Sequence, residues 1–103
     1  MKKKYIPCQL AAKNMDSAQL RESFLIDDLF ARGSIDLYYT DCDRAVVGSA
    51  CPASSPLKLE AGDELRADFF CQRRELGILN IGGTGTVVAD GMEYKLARGG
   101  SLY

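Results

Sequence analysis

Between Gly85 and Leu96, apolar and polar residues alternate on either side of Asp90-Gly91. An Asp-Gly pair between alternating segments selects a two-residue type I′ turn, whose twist matches that of the strands it joins. The turn fixes the register: Ala89 faces Met92, Val87 faces Tyr94 and Gly85 faces Leu96. Val87, Ala89, Met92, Tyr94 and Leu96 then share one face, predicted to be buried, and Thr86, Val88, Glu93 and Lys95 share a mostly polar one. Upstream, Leu76 to Ile81 is an apolar run around Asn80, closed by the turn Gly82-Gly83-Thr84-Gly85. Ser101-Leu102-Tyr103 reads as the start of a further strand. A strand cut at its third residue leaves its neighbour's ladder unpaired, so the pattern predicts a truncated domain.

The middle of the chain carries further strand signals. Ile35 to Thr40 is rich in β-formers, and Arg44 to Cys51 contains Ala45, Val46 and Val47 before Pro52 stops it. Ser54-Ser55-Pro56 and Ala61-Gly62-Asp63 predict turns around a short alternating strand, Leu57 to Leu59. One helix is legible. Asp16 is an N-cap, Gln19 completes a capping box, and Met15 and Leu20 occupy the positions of a hydrophobic staple, with the helix running to about Leu25. Met1 to Lys13 shows no readable element. Short strands separated by glycine turns predict an all-β, antiparallel barrel or sandwich with one short N-terminal helix.

Composition narrows the chemistry. The 103 residues suffice for one domain, and 47% hydrophobic with 26% charged residues is average for a globular protein. A net charge of -1 offers no basic footprint for nucleic acid. No run approaches the roughly 18 apolar residues of a membrane span. Lys2-Lys3-Lys4 resembles the basic start of a signal peptide, but Pro7, Gln9 and Lys13 interrupt the apolar stretch such a peptide needs, so a cytoplasmic location is predicted. The four cysteines, Cys8, Cys42, Cys51 and Cys71, form no C-x-x-C and are predicted to be reduced and mostly buried. With no histidine, the chain supplies no Ser-His-Asp or Cys-His nucleophile, no His-ligated zinc and no His base.

Two resemblances rest on particular residues. The hairpin Gly85 to Leu96, followed by Gly99 or Gly100 and Leu102-Tyr103, resembles the central hairpin of the cupins. The first cupin motif is a glycine, a His-x-His pair, a glutamate and a closing glycine at set spacings. Gly62, Glu75 and Gly82 keep those spacings, while Asp68 and Phe70 occupy the histidine positions. In a cupin the two histidines project from one strand into the barrel mouth, because alternate side chains share a face. Phe70 cannot ligate a metal, and the two carboxylates Asp68 and Glu75 make a poor transition-metal site, so the motif reads as vestigial and metal-free. More narrowly, Arg73-Arg74-Glu75-Leu76-Gly77-Ile78-Leu79-Asn80-Ile81-Gly82-Gly83-Thr84-Gly85, with Leu20 to Leu25, Phe30 and Asp43 to Gly48, resembles the 5-keto-4-deoxyuronate isomerases.

That resemblance implies the N-terminal part of a cytoplasmic bicupin in uronate breakdown, acting on a small uronate substrate and assembled as a homohexamer. It also implies a zinc site in the second barrel, outside this chain. Two alternatives stay open: a non-catalytic cupin module for sugar binding or oligomerisation, and the neighbouring 5-deoxy-glucuronate isomerases. No catalytic residue is assigned to this chain. Arg73 and Arg74 are candidates to bind a uronate carboxylate, a guanidinium fork being suited to it. On a strand they would point to opposite faces, and the plainer expectation is a surface or interface ion pair with Glu75. Tyr38, Tyr39, Tyr94, Phe69 and Phe70 are expected in the core or an interface, Cys71 as inert packing, and Asp43-Arg44 as a turn. Gly82, Gly83 and Gly85 join two strands, so they are turn glycines and not a phosphate loop.

Overall fold

The computed structural model describes all residues, Met1–Tyr103, and is mostly strand with few helices. The elements in chain order are β1 (Lys2–Lys4), α1 (Gln9–Ala12), α2 (Ser17–Phe24), β2 (Ile35–Thr40), β3 (Val46–Ala50), β4 (Ile78–Leu79), β5 (Gly85–Ala89), β6 (Met92–Leu96) and β7 (Ser101–Leu102), with two 3₁₀ turns at Asp63–Leu65 and Phe70–Arg73. They form three small sheets, β1-β2-β3, β4-β7 and β5-β6, which do not close into a barrel. No helix is long and apolar enough to cross a membrane.

Helix α2 starts as its sequence dictates. The Asp16 carboxylate accepts from the Gln19 N–H at 2.8 Å, and Gln19 Oε1 accepts from the Asp16 N–H at 2.9 Å. At its other end the Lys4 ammonium donates to the Leu25 carbonyl, placing positive charge where the helix dipole is negative. The short α1 was not expected.

Strand β2 occupies its predicted span and pairs antiparallel with β3, from Ile35 opposite Ala50 to Tyr39 opposite Val46. The β3 strand is shorter than Arg44 to Cys51 because Asp43 and Arg44 both have φ of 52° and belong to the turn. Gly48 lies opposite Leu37, and a Cβ there would meet the Asp36 carbonyl oxygen at 2.3 Å, so only glycine lets the strands close. β1 pairs parallel to the other edge of β2, Lys2 opposite Tyr38, which breaks the expected all-antiparallel pattern. The predicted strand at Leu57–Leu59 is absent. Leu57 and Leu59 do turn inward with Lys58 exposed, but no neighbouring strand offers them a ladder.

The core is small: Ala61, Leu65 and Phe70 are buried, with Met1, Leu37, Val46, Leu59, Ala67 and Leu76 packed against them. The cysteines lie outside it, contrary to expectation. Cys8, Cys42 and Cys71 are exposed and Cys51 is half-buried, all as free thiols. Cys71 follows Phe70 on a 3₁₀ turn whose inward position Phe70 takes.

The C-terminal third follows its pattern closely. β5 and β6 pair in the predicted register, and Asp90 and Gly91 have φ of 51° and 78°, as a type I′ turn requires. The expected buried face is only partly covered: Val87, Tyr94 and Leu96 are half-buried, while Met92 on the same face is 61% exposed. The apolar run Leu76–Ile81 yields only two strand residues, Ile78 and Leu79, paired with Leu102 and Ser101. The run stops at Asn80, which ties the region together. Its backbone N–H donates to the Gly100 carbonyl at 2.9 Å and its carbonyl accepts from the Gly99 N–H at 2.6 Å. Its Nδ2 donates to the Gly83 and Leu96 carbonyls, both at 2.9 Å, and its Oδ1 accepts from the Gly82 N–H at 3.0 Å.

Asn80→Asp keeps the shape but replaces a two-fold donor with an oxygen facing two carbonyls. In urea denaturation this change is expected to lower stability by about 1–3 kcal/mol. An unchanged midpoint would show that the side chain holds nothing.

Candidate functional site

The segment Ala61–Glu75 carries the residues singled out by the motif spacing, and it folds as turns where strand was expected. Gly62 has φ of 68° and Arg66 φ of 46°, so the chain reverses on both sides of the first 3₁₀ turn. The second, Phe70–Arg73, is preceded by Asp68, whose N–H donates to Gln72 Oε1 at 2.7 Å while Gln72 Nε2 donates back to Asp68 Oδ2 at 3.3 Å. This reciprocal pair closes the turn. Asp68 and Phe70 therefore do not project from one strand into a common mouth.

Each candidate goes its own way from there. Phe70 is 6% exposed and anchors the core. The Arg74 guanidinium lies 5.6 Å from the centre of the Phe70 ring, a cation–π contact that ties it to packing. Arg73 is exposed at the end of the 3₁₀ turn, and neither arginine pairs with Glu75, so the expected ion pair does not form. The Glu75 carboxylate instead lies beside the Tyr103 hydroxyl and raises that phenol above its ordinary value. Among the other aromatics, Phe69 is 60% exposed, whereas Tyr38, Tyr39 and Tyr94 are half-buried.

These residues do not fit a zinc site. Asp68 is engaged by Gln72, Phe70 offers no donor, Glu75 faces a phenol, and no three His, Cys, Asp or Glu side chains converge.

A second cluster lies at the other end of the chain's folding logic. The parallel register sets Lys2 beside Tyr38, and Asp28 bridges them. The Lys2 ammonium donates to Asp28 Oδ2, the Tyr38 hydroxyl donates to Asp28 Oδ1 at 2.5 Å, and Lys2 Nζ stands 5.1 Å from the Tyr38 ring centre. The hydrogen bond from Lys2, then that from Tyr38, holds the Asp28 carboxyl below its ordinary 3.8, while Asp28 raises both Lys2 and Tyr38 above theirs. All three groups are thus moved away from neutrality, and none can trade a proton near pH 7. The cluster is a clasp for β1. At the chain start, the Met1 ammonium lies 3.6 Å from Glu64, whose carboxyl is held down first by its own backbone N–H and then by that ammonium. Lys2, Asp28 and Tyr38 are remote in sequence and carry no spacing signal, so only the parallel pairing reveals them.

No family model matches the chain. It is, however, 53% identical over 91 residues to the 4-deoxy-L-threo-5-hexosulose-uronate ketol-isomerase of Lachnoclostridium phytofermentans, covering 88% of this chain and 33% of that protein. It is 47% identical over 100 residues to the enzyme of that name from Formosa agariphila, covering 97% of this chain and 36% of the relative. Against the one from Halalkalibacterium halodurans it is 44% identical over 103 residues, covering 100% of this chain and 37% of the relative. The chain thus spans about a third of the length of the curated relatives it matches, and is homologous to that part of these isomerases along nearly all of its own length.

The clasp predicts an acid sensitivity with a definite sign. Because the Asp28 carboxyl is depressed in the folded state, its contribution is complete above the ordinary 3.8 and is lost as pH falls through the lowered value. The raised Lys2 keeps its contribution through neutral pH and loses it only at strongly alkaline pH. Amide exchange at β1 and Tyr38–Thr40 should therefore be flat between about pH 5 and 9, after correction for intrinsic rates, and quicken in acid. Asp28→Asn should shrink that acid step to the part contributed by Glu64; a step of unchanged size would place its origin elsewhere.

Proposed function

We propose that this chain is the N-terminal portion of a uronate ketol-isomerase, the enzyme its relatives are named for. The reaction is the interconversion of 5-dehydro-4-deoxy-D-glucuronate and 3-deoxy-D-glycero-2,5-hexodiulosonate in the breakdown of pectin and other uronates. The observation that carries this reading is identity of 44% or more that runs through nearly the whole chain to three proteins of one name. In this reading the chain contributes part of a first cupin-like barrel to a cytoplasmic homohexamer, and the zinc and the proton-transferring base belong to the rest of the polypeptide.

The chemistry of the chain supports that division. A ketol isomerisation moves a proton between adjacent carbons, which needs a base titrating near neutrality and an electrophile for the developing enediolate. With no histidine and no converging metal donors, these residues offer neither. What they do offer is Arg73, an exposed guanidinium with no ion-pair partner, suited to the substrate carboxylate. Arg74, held on Phe70, serves packing instead.

The complete polypeptide should interconvert the two keto sugars, and residues 1–103 alone should not, with or without added zinc. Within the complete enzyme, Arg73→Ala should raise KM by about tenfold, the loss of one charge-assisted contact, with little change in kcat. Turnover by the 103-residue chain alone would place the active site within these residues and overturn the division of labour proposed above. A complete polypeptide inactive on these sugars would overturn the reading itself.

A further inference from the structure

The chain exposes far more surface than its mass requires. A self-sufficient monomer of 11.3 kDa has about 5,700 Å² of accessible surface, whereas this one has 8,097 Å², an excess of roughly 2,400 Å². Its radius of gyration is 15.8 Å where about 13 Å is usual for this length. It makes 35 backbone–backbone hydrogen bonds, about half the number a chain of this size ordinarily forms. The excess is about three times what one partner buries in a standard interface and falls in the range of obligate association.

The hairpin β5–β6 shows where part of that surface lies. Val88 is 62% exposed on one of its faces and Met92 61% exposed on the other. Alongside, tied to the hairpin through Asn80, Leu79 and Ile81 are 65% and 55% exposed. The sheet has two strands, so the outer edge of β5 has no neighbour. Thr86 and Val88, which alternate with the residues bonded to β6, direct their N–H and C=O groups to that edge. An open edge flanked by apolar side chains on both faces is a template for strand pairing. One symmetric contact with a second copy uses one self-complementary patch, so a single such contact leaves the other face open. The relatives are about three times as long as this chain, so the isomerase polypeptide has the mass to cover both.

Resting on the isomerase reading, we infer that the hairpin and the Leu79–Ile81 strip dock the remainder of the same polypeptide, which lays a strand along the open edge of β5 and covers both faces. Hydrogen exchange on the complete polypeptide tests this directly. The Thr86 and Val88 amides should exchange at least a hundredfold more slowly than the amides of exposed turns; rates matching the turns would overturn the docking. Val88→Lys, or the milder Val88→Ala, then identifies the covering surface. The melting temperature should fall by about 4 °C or more with the number of subunits unchanged. A smaller assembly at an unchanged melting temperature would assign the surface to a second copy, overturning the inference. An isomerase assay on the same sample separates the two readings: an active enzyme with fast amides sinks the docking alone, and protected amides in an inactive protein sink the isomerase reading alone.

Discussion

Asn80 is the constraint on which the C-terminal third depends. A two-stranded hairpin is marginal in water, and a pairing of two residues against two is weaker still. β5–β6 and β4–β7 are these two things, and neither has a third strand. Asn80 joins them by using all five of its bonding groups on the carbonyls and amides of Gly82, Gly83, Leu96, Gly99 and Gly100. Its partners are mostly glycines, whose turns bring backbone close enough for a short amide side chain to reach. An asparagine supplies both donors and an acceptor in one plane, which aspartate and leucine of similar size do not.

The N-terminal half is held by different means. Its sheet has a two-strand antiparallel centre that any β-rich pattern would favour, with a parallel edge strand of three lysines added to it. Three lysines have no apolar reason to sit on a sheet. Two of them are held by their side chains: Asp28 neutralises Lys2 while Tyr38 lends both a hydroxyl and a ring face, and the helix terminus at Leu25 accepts Lys4. The edge strand is therefore held on its outer side by exposed electrostatics, and such contacts are sensitive to pH and salt.

What could be read from the sequence tracks how local the cause was. The hairpin register, the Asp16–Gln19 capping box and the span of β2 each follow from a few neighbouring residues, and each appears as read. The parallel strand was illegible because its partner is more than thirty residues away and its composition argues against a strand. The segment Ala61–Glu75 misled for another reason. Spacing borrowed from a motif carried an assumption of strand geometry, while the left-handed backbone at Gly62 and Arg66 makes it a pair of turns. The candidate residues were visible by type, but their partners, Gln72 for Asp68 and Tyr103 for Glu75, were not.

Phe70 joins the structural and the chemical sides of this chain. At a position where the resembling motif carries a metal ligand, an aromatic ring turns inward and becomes the anchor of the buried cluster, with Arg74 laid upon it. One position cannot both ligate in an open mouth and fill a core, because the first needs a hydrated donor and the second a dry apolar surface. Packing around Phe70 thus commits that position, and Arg74 laid upon it, to a structural role. The titratable groups of the Lys2–Asp28–Tyr38 clasp are drawn away from neutrality, which commits them likewise. The polar clusters of this chain are thus taken up in holding its own strands and turns, while a dozen of its large apolar side chains stay at the surface.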